Sequence, residues 1–149
     1  MSASTSSLRR LPVTRTQRAV IYCVCGLLWV SGVFWLVLHY EFQGHNEFGD
    51  LPNPAEVGLM RLHGLVAVAA VFLFGWLTAA HVMPRWSIGR NRTSGLVLAG
   101  CALVLVVSGY ALYYTTAGPH TQASVLHQVL GVLTLAAALT HWLRNRDLP

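Results

Sequence analysis

The chain has 149 residues, of which 54% are hydrophobic and only 10% charged. Soluble domains carry about 25% charged residues, so this composition excludes an ordinary soluble domain. The formal net charge of +5 would suit a nucleic-acid partner, but the placement of the charges, described below, explains it by membrane topology and excludes that class.

Residues 1–17 are rich in Ser, Thr and Arg and contain Pro12. They read as a short flexible cytoplasmic segment. Four apolar runs follow, at 18–40, 58–83, 93–115 and 123–143. Each has about the 20 residues that cross a hydrocarbon layer of about 30 Å as a helix. Backbone polar groups in lipid must bond within their own segment, so these runs are expected to be helical. The fold class is therefore all-α: an integral membrane four-helix bundle over 18–144, with a short cytoplasmic tail at 145–149. No cleavable signal is apparent, because the first run is too long for an h-region.

The first helix carries Cys23, Cys25, Gly26 and the step Ser31-Gly32, and ends near His39 and Tyr40. Cys23 and Cys25 point to different faces and, with Cys101, read as small packing residues. The connection 41–57 contains Gly44, Gly49, Pro52 and Pro54 and reads as a structured turn region. It is acidic, with Glu41, Glu47, Asp50 and Glu56. That makes it a solvated loop with a negative face, or a docking surface for a basic or redox partner. The second helix ends at Pro84, followed by a basic turn with Arg85, Arg90 and Arg92. Trp76 and Trp86 suit bilayer anchoring. The third helix carries Gly95, Gly100 and Ser108-Gly109 and ends in Tyr110, Tyr113 and Tyr114. Residues 117–122, with Gly118-Pro119 and His120, read as a tight turn before the fourth helix.

All ten basic residues are arginine. Arg9, Arg10, Arg15 and Arg18 precede the first helix, three lie between the second and third, and Arg144 and Arg146 follow the fourth. The connection between the first two helices is acidic, and the last connection has no charged residue. This bias predicts that both termini are cytoplasmic.

The histidines carry the chemistry. His63 and His81 lie at the two ends of the second run, and His127 and His141 at the ends of the fourth. Ionisable groups inside membrane-length apolar runs are costly and mark functional sites. Eighteen residues make about five helical turns, so His63 and His81 share a face; fourteen fall about 40° short of four turns, so His127 and His141 also share one. The two helices run the same way. His63 and His127 are then level on the outer side, and His81 and His141 on the inner side. Along these faces Ala67, Ala70, Gly131, Thr134 and Ala138 are small, with Phe74 as the exception. The spacings rise about 27 Å and about 21 Å, and the difference must be absorbed by tilt, helix irregularity or unequal depth. Replacement of an outer ligand by His39 or His120 is the alternative; His45 reads as a polar loop residue.

The halves also match. Val30-Ser31-Gly32 pairs with Val107-Ser108-Gly109, Leu62-His63 with Leu126-His127, and His81 with His141. This is a two-fold pseudo-repeat of helix pairs about an axis along the membrane normal.

Two histidine pairs on facing helices fit haem iron. No C-x-x-C-H occurs, so covalent c-type attachment is not expected. A tetrahedral zinc or copper site lacks the further Cys or carboxylate ligands it needs. Gly32 and Gly109 would bring backbone close to the outer group or serve ordinary helix packing, and Arg61, two residues before His63, would neutralise outer propionates or act only as a topology determinant or interface anchor. Arg85 or Arg144 would do so inside.

On Leu62-His63-Gly64, Ala80-His81, Leu126-His127 with Gly131, and Thr140-His141-Trp142, the chain resembles the small four-helix b-type cytochromes of bacterial membranes, broadly the di-haem cytochrome b-561-like group. The resemblance implies two b haems, bis-histidine ligation and electron transfer across a bacterial inner membrane. It also implies redox protein partners or further membrane subunits. A quinone is a candidate partner, although no quinone-site motif is apparent. Two other readings compete: a stand-alone haem reductase acting on a ferric complex or a quinone, with His45, Glu47 and Asp50 as its external polar cluster, and a cofactor-free membrane anchor.

Overall fold

The computed structural model describes residues 14–86 and 92–146. The first helix, α1, spans Arg15–Glu41. Its start is fixed by a capping box. Thr14 Oγ1 accepts from the Gln17 backbone N–H, and the Gln17 side chain accepts from the Thr14 N–H. Two of the helix's unpaired donors are thereby satisfied. Residues 14–17 are thus part of the helix start and not of the flexible segment expected from the sequence.

The following connection forms a small antiparallel ladder of β1 (Gly44–Asn46) and β2 (Gly49–Leu51), with His45 opposite Asp50. Gly49 takes a φ of 118°, which a side chain would resist. Helix α2 (Ala55–Leu77) then begins behind Pro54, a residue that suits a first turn because it has no N–H to leave unpaired.

Pro84 does not end this helix as expected. The chain passes through a π-helical segment, Thr78–Val82, into a short helix α3 (Met83–Trp86) that contains Pro84. Proline's ring crowds the carbonyl one turn back and offers it no N–H. A wider turn just before it is one way to accommodate both defects without stopping the helix. His81 lies on that wide turn.

Helix α4 spans Arg92–Tyr114 and α5 spans Ala117–Arg146. The tight turn expected at 117–122 is instead the first turns of α5. Ala117 takes a φ of 52°, and Pro119 falls among the first residues, where a missing N–H breaks no intrahelical bond. Four helical stretches are long and apolar enough to cross a membrane: Arg15–Glu41, Ala55–Val82, Arg92–Tyr114 and Ala117–Arg144. Residues 1–13, 87–91 and 147–149, with Arg9, Arg10 and Arg90, lie outside the described residues, as do the side chains of Arg85, Trp86 and Arg146.

The helices associate as two hairpins, α1 with α2 and α4 with α5, joined mainly through α1 and α5. The Tyr40 hydroxyl donates to Gln128 Oε1 at 3.1 Å, which places the end of α1 beside the start of α5. Among the described residues Val66 is the one buried hydrophobic side chain, while Leu65, Phe72 and Tyr113 are exposed. A water-soluble bundle would not leave such faces bare. In lipid they need no cover, and close helix approach falls to small residues. The buried polar residues are Ser31, Glu56, Ser94 and Ser108. All four bond a histidine ring: Ser31, Ser94 and Ser108 to His63, His141 and His127, and Glu56 to His39.

Candidate functional site

His63, on the first turns of α2, and His127, near the start of α5, come together across the bundle. Their ring centres are 6.4 Å apart and the planes are inclined at 80°. Both rings are half-buried.

Each ring is held by a serine of the neighbouring helix in its own hairpin. Ser31 Oγ lies 3.0 Å from His63 Nδ1 and donates its proton to the Leu28 carbonyl at 3.0 Å. Ser108 Oγ lies 2.9 Å from His127 Nδ1 and donates to the Leu105 carbonyl at 3.3 Å. A hydroxyl has one proton to give. With that proton on the helix carbonyl, the oxygen accepts from Nδ1–H, and the neutral ring carries its lone pair on Nε2. With the serine proton so placed, both imidazoles would be in the tautomer whose Nε2 is free to ligate.

The residue after each serine completes the seat. A Cβ at Gly32 would lie 3.1 Å from His63 Cε1, and one at Gly109 would lie 3.1 Å from His127 Cε1. What these two glycines meet is imidazole edge. The serine fixes one atom of the ring, and the missing Cβ lets the ring lie against the helix.

The serine and glycine part of this arrangement occurs a third time. Ser94 Oγ lies 3.1 Å from His141 Nδ1, and a Cβ at Gly95 would lie 3.5 Å from His141 Cε1. Ser94 and Ser108 on α4 are fourteen residues apart, matching the spacing of His127 and His141 on the antiparallel α5. One hairpin therefore carries two seated histidines about 21 Å apart along its axis. His81 is half-buried on the π-helical segment.

The 6.4 Å between the His63 and His127 ring centres is close to the spacing that one metal between them would give. Two collinear metal–imidazole bonds of about 2.0–2.1 Å, with about 1.1 Å from each nitrogen to its ring centre, separate the centres by about 6.3 Å. Gly131, one turn after His127 on the same face, meets nothing within 4 Å of its added Cβ. Trp29 Nε1, three residues before Gly32, is buried and has no hydrogen-bond partner. A buried donor of this kind calls for an acceptor that the polypeptide does not supply. No group of three or more His, Cys, Asp or Glu side chains with metal-holding geometry occurs among the described residues. At this level the site offers two imidazoles.

Arg61 lines a shallow cleft of about 380 Å³ with Trp35, Glu56, Met60 and Tyr113. A Cβ at Gly64 would lie 3.6 Å from the Tyr113 hydroxyl, so this cleft adjoins the helical turn that bears His63.

His39 is bonded to a carboxylate of α2. Its Nδ1 lies 3.0 Å from Glu56 Oε2, and its ring stacks on Trp35 with centres 4.5 Å apart. Glu56 is buried, and its Oε1 accepts from the Asn53 N–H at 3.0 Å. Glu56 is thereby withdrawn from the negative face expected of the connection, where Glu41, Glu47 and Asp50 remain exposed. His45 pairs with Asp50 across the ladder, and both are exposed. His120 is exposed on the first turns of α5. Cys23, Cys25 and Cys101 are free thiols.

Sequence reasoning singled out Ser31-Gly32 and Ser108-Gly109 as a repeat but gave the serines no partner. Ser94-Gly95 was missed. Its signal was present in the fourteen-residue offset that α4 shares with the α5 histidines. No protein-family model, no curated protein and no solved structure matches this chain.

Proposed function

We propose that this chain is a membrane electron carrier that holds two b haems and passes electrons between the two faces of a bilayer. The observation that supports it best is the His63–His127 pair, 6.4 Å between ring centres, with both Nδ1 atoms engaged by serine. Haem bound there supplies a one-electron iron couple. His63 and His127 would hold its iron through Nε2, one from each side of the bundle. An iron without an open position favours electron relay over oxygen chemistry. Arg61, two residues before His63, would offer a cation to propionates of that group.

The second centre rests on His81 and His141. His141 has the same serine and glycine seat as the outer ligands. His81 lies on the wide turn before Pro84, and such turns are frequent at functional sites. The arginine bias puts the His63–His127 level at the outer face and both termini in the cytoplasm of a bacterial cell. Redox proteins or other membrane subunits would then meet the exposed acidic connection.

Reconstituted vesicles test the transfer. Ferricyanide is trapped inside, dithionite is added outside, and a potassium ionophore carries the compensating charge. The protein is expected to drive consumption of the trapped ferricyanide, and the His127→Ala variant to fall to the rate of empty vesicles. Wild-type protein that leaves the rate at that of empty vesicles would contradict the proposal.

A further inference from the structure

Three serines share one geometry and serve three different histidines. Ser31, Ser94 and Ser108 are all buried, and each places its Oγ 2.9–3.1 Å from an Nδ1 atom. A helix-packing role alone does not account for this. Serine is a small residue of the kind that lets membrane helices approach, but packing does not require its hydroxyl to meet an imidazole nitrogen three times. Nor does packing place a glycine after each one, against the Cε1 of the same ring.

We infer that Ser31, Ser94 and Ser108 are positioning residues that fix the ligating nitrogen and set the reduction potential of the bound iron, with Ser31 and Ser108 acting on one centre and Ser94 on the other. The inference rests on the haem reading and adds which residue outside the ligand set controls which iron. A neutral hydroxyl that accepts from Nδ1–H leaves the ring more electron-rich at Nε2. A more basic ligand stabilises the ferric state over the ferrous state. Removal of the acceptor therefore raises the potential of the iron that the ring binds. It also frees the ring to turn, and loss of such a partner typically weakens metal binding by about 10- to 100-fold.

The assignment to two centres comes from position. Ser31 and Ser108 serve the two rings that face each other at 6.4 Å. Ser94 is fourteen residues, about 21 Å, from Ser108 along α4. It serves the ring at the far end of α5. One iron cannot answer to both levels.

The test is a redox titration of the full chain, with both haems resolved, on threonine and valine variants at each serine. Threonine and valine have nearly the same shape, and only threonine keeps the hydroxyl. Ser108→Val and Ser31→Val are expected to raise the same potential, and Ser94→Val to raise the other. The threonine variants are expected to stay near wild type. Electron paramagnetic resonance of the oxidised protein gives a second readout, as the axial signals of only the addressed centre are expected to change. Valine variants that match threonine at every position would overturn the inference, as would Ser94→Val and Ser108→Val shifting one and the same centre. A chain that takes up no haem overturns the haem reading along with it; a loaded chain with unmoved potentials overturns only the role of the serines.

Discussion

Replacing His127 with alanine is expected to remove about half of the bound haem and leave the rest spectrally unchanged. The size of the effect follows from the ligand count. In the proposed sites each iron would have two protein ligands, and loss of one would leave an open position and a weakly held macrocycle. Structural damage is expected to be small. Ser108 keeps its bond to the Leu105 carbonyl at 3.3 Å when the imidazole is gone, so no buried donor is orphaned. His63→Ala is expected to remove the same component, because the two rings face one another at 6.4 Å. Extraction of haem and its ratio to protein checks the loss, and the oxidised spectrum of what remains checks which centre survives. If His63→Ala and His127→Ala deplete different components, the pair does not share an iron.

Gly109→Leu is expected to weaken the same centre by about 10- to 100-fold in haem affinity. A Cβ at Gly109 already lies 3.1 Å from His127 Cε1, tighter than nine in ten real contacts. The further carbons of leucine push the ring off Ser108. Overpacking of this kind costs about 1–3 kcal/mol, and each 1.4 kcal/mol is about tenfold in binding. Two neighbours on α4 serve as controls. Gly95→Leu meets His141 Cε1 at 3.5 Å, ordinary contact, so its effect is expected to be milder and to fall on the other centre. Gly100→Leu meets nothing within 4 Å and is expected to be close to neutral. Competitive haem transfer to an apo-globin acceptor measures all three. Equal loss from Gly100→Leu and Gly109→Leu would mean that leucine on α4 disturbs helix packing in general and that the imidazole contact is not the cause.

The four apolar helices were legible because lipid leaves a chain little choice. A run of about 20 apolar residues has to close its own backbone bonds, and helix does so. Less legible were the helix ends. Pro84 is a stop signal by local rules, yet a π-helical turn carries the chain through it. Gly118-Pro119 reads as a turn, yet proline is at ease among the first residues of α5.

At the candidate site the meeting of His63 and His127 followed from periodicity, since both lie near the starts of helices that run the same way. Serine at 31, 94 and 108 was another matter. Serine in a membrane helix is ordinary, and its partner lies on another helix, 32, 47 and 19 residues away. Sequence spacing within one helix does not reveal such a partner. For Ser94 and Ser108, the match between two fourteen-residue offsets would have shown it. The His39–Glu56 pair was hidden for a related reason. Glu56 sits in an acidic stretch that reads as a solvated face, and its burial depends on Asn53 and on the end of α1.

The central claim is that His63 and His127 hold one haem iron between them and leave it no open position. Absorption spectra of the purified protein test it most directly, recorded oxidised, after dithionite, and after carbon monoxide is added to the reduced form. The account predicts a low-spin spectrum in both oxidation states, a b-type α band on reduction, and no change with carbon monoxide. Absence of the α band, or a reduced spectrum that shifts as carbon monoxide binds, would contradict it.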